Sequence, residues 1–280
     1  MTFSERVSKM IEIIKNSRLA LIAKGEAVPY DDDIPDVIEQ MTGGADTDNL
    51  KNMIAKSRFY SLTVPNGTSR VSSNAFYNDT MLQNIVIPNS VESIGYSAFY
   101  QCTSLSSVSI GSGLTRIYGS AFSGCTILHS INLPNTLTAI EQRAFANCVW
   151  LSDLILPNSL IEIGVSAFDY CIRIMSITIP GSVNTLGYGA FSTCTGLTNV
   201  KIKSGVATIG NYVFDGCTSL TSVDLTDITD SAKIPSLSNI AAFSNNASNR
   251  KFIVANAEML AAFSAATNWS YYANDFEVAQ

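Results

Sequence analysis

The chain has 280 residues, 46% of them hydrophobic and only 14% charged, with a formal net charge of −6. That balance excludes a disordered polymer, which combines low hydrophobicity with high charge. It also excludes nucleic acid as a partner, since no face gathers Lys and Arg, and no window offers the ~18 uninterrupted apolar residues of a membrane span.

The first 58 residues have a helical rhythm. Phe3, Val7, Met10, Ile11 and Ile14 share one face, predicting an amphipathic helix over Thr2–Lys24 that Gly25 stops. Glu5, Arg6, Lys9, Glu12, Lys15 and Arg18 interrupt its apolar residues, so no secretory signal peptide is visible in this chain. Pro35 opens a short helix through Met41, and a third is expected from Asp48 to Lys56. The acidic runs Asp31-Asp32-Asp33 and Asp46-Thr47-Asp48 lack the Gly and distal Glu of a calcium loop, and read as solvated lead-ins.

A 23-residue repeat follows. Cys102, Cys125, Cys148, Cys171, Cys194 and Cys217 are each 23 residues apart, as are Phe76, Phe99, Phe122, Phe145, Phe168, Phe191 and Phe214. Ala precedes each Phe except at Val213; Leu or Ile follows six residues later, and an alternating pair such as Ile131 and Leu133 comes nine and eleven residues later. Alternation marks a half-buried strand, and Pro88, Pro134, Pro157 and Pro180 end it because proline cannot donate to a ladder. A strand this short buries its apolar face only by stacking on its neighbours. The expected fold is therefore a leucine-rich repeat solenoid, β-rich, with one parallel strand per repeat and an array roughly 30 Å long from Phe76 to Phe214.

The pattern reaches back to a half-repeat at Phe59, Leu62, Val64 and Pro65. After Phe214 the step lengthens to 29, reaching Phe243, with six extra residues around 227–239. Asp79 and Asn246 stand where Cys would, a polar exchange that suits exposed terminal turns. Fewer neighbours are accordingly expected around Phe243. Asn256 caps a predicted helix through Ala265, and Trp269 follows. Three units result: 1–58 as a helical N-terminal segment or cap, 59–225 as the array, and 226–280 as a divergent last repeat and C-terminal cap.

The run Ile87-Pro88-Asn89-Ser90-Val91-Glu92-Ser93-Ile94-Gly95-Tyr96-Ser97-Ala98-Phe99, with Cys102 and Leu105, closely resembles the BspA-like leucine-rich repeat. The resemblance covers about 59–225 and implies a bacterial protein displayed on a cell surface as an adhesin for host proteins or other bacteria. Lys24-Gly25-Glu26 with Asp33-Ile34-Pro35-Asp36-Val37-Ile38-Glu39-Gln40-Met41 is similar to the helical leader of some phage and prophage tail-associated proteins. The stretch from Ala265 to Ala273 is similar to a C-terminal cap of such repeat proteins. This second resemblance implies virion association, with lysis or assembly as the delivery route.

No catalytic, cofactor or metal site is expected. The cysteines contain no C-x-x-C, so they read as a ladder of buried free thiols acting as small apolar fillers. His129 is the single histidine, its equivalents are Gln83, Ser106, Ser152, Met175, Thr198 and Thr221, and no carboxylate is placed to orient it. Gly111-Ser112-Gly113 occupies the turn filled elsewhere by Pro134-Asn135-Thr136.

Two surfaces remain. Outward strand positions form one row of Asn84, Ser107, Ser130, Asp153, Ser176, Asn199 and Ser222, and a second of Val86, Ser109, Asn132, Ile155, Thr178, Lys201 and Asp224. This face reads as small and polar, without an aromatic anchor. Tyr77, Tyr96, Tyr100, Tyr118, Tyr170, Tyr188 and Tyr212 fall instead near the Ala-Phe pair. Either they supply binding area at low entropic cost, or their rings only pack over the ladder edge with the hydroxyls in water. The expected function is non-catalytic adhesion to a protein or glycan on a cell surface, by a protein that is extracellular, cell-surface or virion-associated. The alternative is a structural spacer or assembly part that attaches or oligomerises through its N-terminal helices.

Overall fold

The computed structural model describes residues 60–280, and the helices expected over 1–58 lie outside them. The chain winds as a coil of turns, each contributing to three sides. The first side is a parallel sheet of β1 (Tyr60–Thr63), β3 (Leu82–Ile87), β5 (Ser107–Ile110) and β7 (Ser130–Ile131). It resumes as β10 (Ser176–Ile179), β12 (Asn199–Ile202), β14 (Ser222–Asp224), β16 (Lys251–Val254) and β17 (Phe276–Val278). Between the two parts the turn around Asp153 contributes only an isolated bridge to Ser130. Pairing is in repeat register: Asn84 faces Ser107, and Ser176 faces Asn199.

The second side is a continuous parallel sheet of two-residue strands. In chain order these are β2 (Arg70–Val71), β4 (Ser93–Ile94), β6 (Arg116–Ile117), β8 (Ala139–Ile140), β9 (Glu162–Ile163), β11 (Thr185–Leu186), β13 (Thr208–Ile209) and β15 (Ser236–Leu237). All turns of the array but the one around Asp153 therefore carry two strands where the sequence pattern predicts one. Most of these two-residue strands bury a single apolar side chain, such as Ile94, Ile117 or Ile163, and so leave no alternation to read.

The third side consists of turns. Here backbone bonds run both along the chain and between turns. The Phe99 N–H donates to the Ala121 carbonyl of the next turn at 2.7 Å, while the Cys102 N–H donates to the Phe99 carbonyl at 3.2 Å. This geometry needs two left-handed residues per turn, four apart. Asn74 and Asn78 (φ 58° each), Ser97 and Gln101, and Arg143 and Asn147 supply them, with Gly124 and Gly216 at equivalent sites. Asn tolerates positive φ better than most side chains and Gly does so without steric cost.

Between the three sides runs the core. Phe76, Phe99, Phe122, Phe145, Phe168, Phe191 and Phe214 are buried and stacked in one column, neighbouring centroids lying 5.0–5.7 Å apart. The 29-residue step reinserts the last turn without breaking the column, and Phe243 stacks on Phe214 at 5.2 Å. Thr208 pairs with Ser236, a step of 28, so five of the six extra residues precede β15.

The C-terminal end is closed as the Asn256 cap predicts. The Asn256 side chain accepts from the Met259 N–H at 2.9 Å, starting helix α1 (Ala257–Ala265). Trp269 is fully buried beneath it and donates its indole N–H to the Pro235 carbonyl at 2.7 Å. Strand β17 then pairs with β16, covering the sheet edge that β16 would otherwise expose. Phe243 is not sparsely packed, contrary to expectation: it contacts Phe214, Phe252, Trp269 and Tyr272.

Removing a ring from the column leaves a cavity between two fixed turns. Phe145→Ala should cost about 3–5 kcal/mol in chemical denaturation. Because the cap surrounds Phe243 with aromatic rings, Phe243→Ala should cost a similar amount. A loss below about 1 kcal/mol at Phe243 would mean that the cap is not packed as described.

Candidate functional site

The interior thiols are the most regular chemical feature, and all six are buried and free. Each sits one turn beyond a Phe carbonyl and donates to it. The Cys102 Sγ–H reaches the Phe76 carbonyl at 2.9 Å, and the other five do likewise at 3.1–3.2 Å. The ladder is thus a set of hydrogen-bond donors, and small size alone does not account for it. In the last turn, the Asn246 amide donates to the Phe214 carbonyl at 2.7 Å, doing the thiol's work with a stronger donor. Asp79 caps the first described turn differently, its carboxylate accepting from the Met81 and Leu82 N–H groups at 3.1 Å. Burial pushes the thiols of Cys125, Cys171 and Cys194 well above their usual range and that of Cys217 up to about 12. Thiols held neutral are poor nucleophiles and poor metal ligands. Among the described residues no group of three or more His, Cys, Asp or Glu is placed to hold a metal.

The tyrosines lie on the turn side in two bands. Tyr96, Tyr118, Tyr188 and Tyr212 precede the phenylalanines, at the corner with the second sheet. Tyr77, Tyr100 and Tyr170 follow them. Rings meet across adjacent turns: Tyr77 with Tyr100 at 4.9 Å, Tyr96 with Tyr118 at 5.0 Å, and Tyr188 with Tyr212 at 5.4 Å. Contact does not bury them, since Tyr96 is 55% and Tyr188 52% exposed. The structure thus joins six of the seven into pairs without gathering all of them into one site. Arg116 and Glu141 form an ion pair at 2.7 Å beside the Tyr96–Tyr118 pair. The Glu141 carboxylate holds the Tyr96 hydroxyl above its ordinary pKa. Tyr170 and Tyr212 occupy left-handed positions, φ 62° and 58°, where the side chain is directed by the backbone turn.

The strand face differs from expectation at its middle. Most of it is exposed Ser, Thr and Asn, with Lys201 paired to Asp224 and Asp227 toward the C-terminal end. At the fourth and fifth turns, however, Trp150 stands beside the face with His129 on one side, centroids 5.4 Å apart. The Arg173 guanidinium lies over its ring at 4.3 Å. On the same two turns as Trp150 and Arg173, Ile155 is 83% and Met175 68% exposed. A partly exposed aromatic ring therefore borders the face. Its signal in the sequence is a departure from the repeat: positions equivalent to Trp150 hold Met81, Ser104, Ile127, Arg173, Gly196 and Ser219.

A coil of parallel two-strand turns, with buried Phe and Leu columns and variable outer positions, is a leucine-rich repeat solenoid. The BspA type leucine rich repeat region matches in six copies, over 51–175 and 138–257. The chain belongs to that family. Among solved structures it is similar to a leucine-rich repeat protein of T. pallidum, at 34% identity and a TM-score of 0.54. The match covers 58% of this chain and 78% of that one. It is also similar to a leucine-rich cell surface protein of Faecalibacterium prausnitzii A2-165, at 24% identity and a TM-score of 0.45, covering 69% of this chain and 68% of that one. No curated protein matches the sequence. The phage-tail likeness of the two ends gains no support from these matches.

The thiol column has a consequence that alkaline titration can read. An exposed thiol loses its proton near 9.0, whereas that of Cys217 keeps it to about 12, so the protonated form is the one the fold prefers. The resulting stability is full below pH 9 and is lost as pH rises from there through about 12. Cys217→Ala should lessen the slope of that part of the stability curve, to which the other buried thiols also contribute, while costing about 1–2 kcal/mol at neutral pH for the lost donor. In native protein at pH 7, iodoacetamide should label Cys125 to Cys194 slowly, and denaturant should release six free thiols. Intact disulfides found by mass spectrometry would contradict this arrangement.

Proposed function

We propose that the chain is a non-catalytic recognition protein that uses the turn side of its solenoid to bind a protein or glycan on a cell surface. One observation carries this reading: large aromatic side chains are held in the open at positions the fold does not require. Where Tyr96 and Tyr188 stand, other turns have Gly119, Gln142, Val165 or Asn211 and coil equally well. Tyrosine rings bury much area for little rotamer entropy, and here each pair is already ordered by its neighbour across the turn. The family resemblance adds the expectation of display outside the cell or on a particle. Among the described residues no helix is long and apolar enough to cross a membrane. The divisions at 58 and 225 fit this reading, with the array as the recognition unit and the flanks as attachment and cap.

Replacing Tyr96, Tyr118 and Tyr188 together by Ser tests it. The melting temperature should fall by only a few degrees, since two exposed ring pairs worth about 1 kcal/mol each are lost and the core is untouched. Adhesion should fall by roughly tenfold or more against whichever immobilised matrix protein, glycan or bacterial cell a binding screen identifies. Ser107, Ser130 and Ser176 changed to Ala are the control and should matter little. If the serine set abolishes binding while the tyrosine set leaves it intact, the turn side is not the recognition surface.

A further inference from the structure

The cluster around Trp150 requires its own account. It interrupts a face of small polar residues, at the same turn where the first sheet narrows to one bridge. Nothing in the fold demands it, because the equivalent positions of other turns are mostly small or polar. Yet it is ordered. His129, Trp150 and Arg173 come from three successive turns; the imidazole meets the indole at a tilt and the guanidinium lies over its ring, so the indole is positioned before any partner arrives. Trp and Arg dominate the energetics of protein interfaces, and Met is enriched there. Fixing a side chain beforehand removes part of the entropic cost of association.

The charges on the patch say what covers it. Asp153 and Arg173 both lie on it, one turn apart, and among the described residues neither forms an ion pair. An acidic partner would need only the cation and a basic partner only the anion. A surface carrying both signs beside apolar side chains is complementary to itself. A two-fold axis lying in the face, perpendicular to the line joining the two residues and crossing it midway, sets Arg173 of each copy against Asp153 of the other. That is the isologous arrangement favoured by most homodimers.

We propose that this strand face, centred on Trp150, Ile155 and Met175 with Asp153 and Arg173 as paired charges, is the interface of a homodimer. The apolar centre is smaller than the ~800 Å² per partner of a standard interface, so Ser130, Asn132, Ser176 and Thr178 form the polar rim. Area does not fix affinity; the dimer proposed here is a reversible one, with a Kd on the order of 10 µM. The interface is separate from the tyrosine bands, and the proposal does not depend on what those bands bind.

Sedimentation equilibrium on the full chain tests it. The wild type should shift from monomer to dimer as concentration rises to about 200 µM, well above that Kd. Trp150→Ala and Met175→Glu should each weaken the dimer roughly tenfold or more. Asp153→Lys and Arg173→Glu should each weaken it too, because every charge contact then joins like signs. Mixed in equal amounts, those two charge variants should associate again, since each contact now joins unlike signs; native mass spectrometry distinguishes the heterodimer. Circular dichroism melts that match the wild type show that the variants are folded. The Tyr96, Tyr118 and Tyr188 to Ser variant should dimerise normally. A wild type that stays monomeric at about 200 µM overturns the proposal. So does a dimer indifferent to the patch variants, or a mixture of charge variants that associates no better than either alone.

Discussion

The phenylalanine column and the carbonyls beside it set the conditions that the rest of the molecule meets. Stacked rings settle 5.0–5.7 Å apart, close to the ~4.8 Å between neighbouring parallel strands. One turn spacing therefore satisfies both the aromatic column and the two sheets. The turn side pays for this with unusual backbone: two left-handed residues per turn, and a Phe carbonyl that receives a backbone N–H from its own turn and a thiol from the next. A buried carbonyl short of donors costs free energy. The donor must be small enough to fit between stacked turns and apolar enough to be enclosed on all sides, and cysteine meets both conditions. Asn246, in the last turn, shows that the position selects for a donor. There the cap leaves room for an amide, which reaches the Phe214, Cys217 and Ser244 carbonyls.

How much of this was legible in the sequence follows from how each feature repeats. Residues buried in every turn leave a periodic trace, and Phe, Cys and Leu at steps of 23 were enough to place the array and its first sheet. Asn256 was legible as a cap because its role is local, a side chain accepting from an N–H three residues on. The second sheet was not, because most of its two-residue strands contribute a single inward side chain. Nor was β17, whose pairing to β16 depends on the path taken through the helix and Trp269. The hydrogen-bonding role of the thiols was hidden for another reason: its acceptor lies 26 residues earlier and on the backbone.

The outer surface obeys the opposite rule. Function there departs from the repeat, so periodicity draws attention away from it. The tyrosines stand out in the sequence as large side chains that the consensus does not explain. Trp150 does not stand out from the strand rows, because the indole comes from the segment just before the strand. His129 is unremarkable beside its equivalents, and nothing in the repeat marks Arg173. Only the coil, which sets residues 21 and 23 positions apart against one another, makes them neighbours of the same ring.

The placement of the two surfaces relates them. Strand face and turn side are different sides of one coil, so a contact through the first leaves the second open. Two arrays joined at their strand faces would direct their tyrosine bands outward. A single array offers a ligand a few ring pairs, each worth little on its own. Paired arrays would offer the same set twice on one rigid body, and the second attachment then becomes intramolecular, raising avidity without any new contact. A reversible dimer is enough for that purpose, because a ligand bridging both copies would itself add to the free energy that holds them together. Weak individual sites and a modest interface would thus be coupled, each compensating for the limited strength of the other.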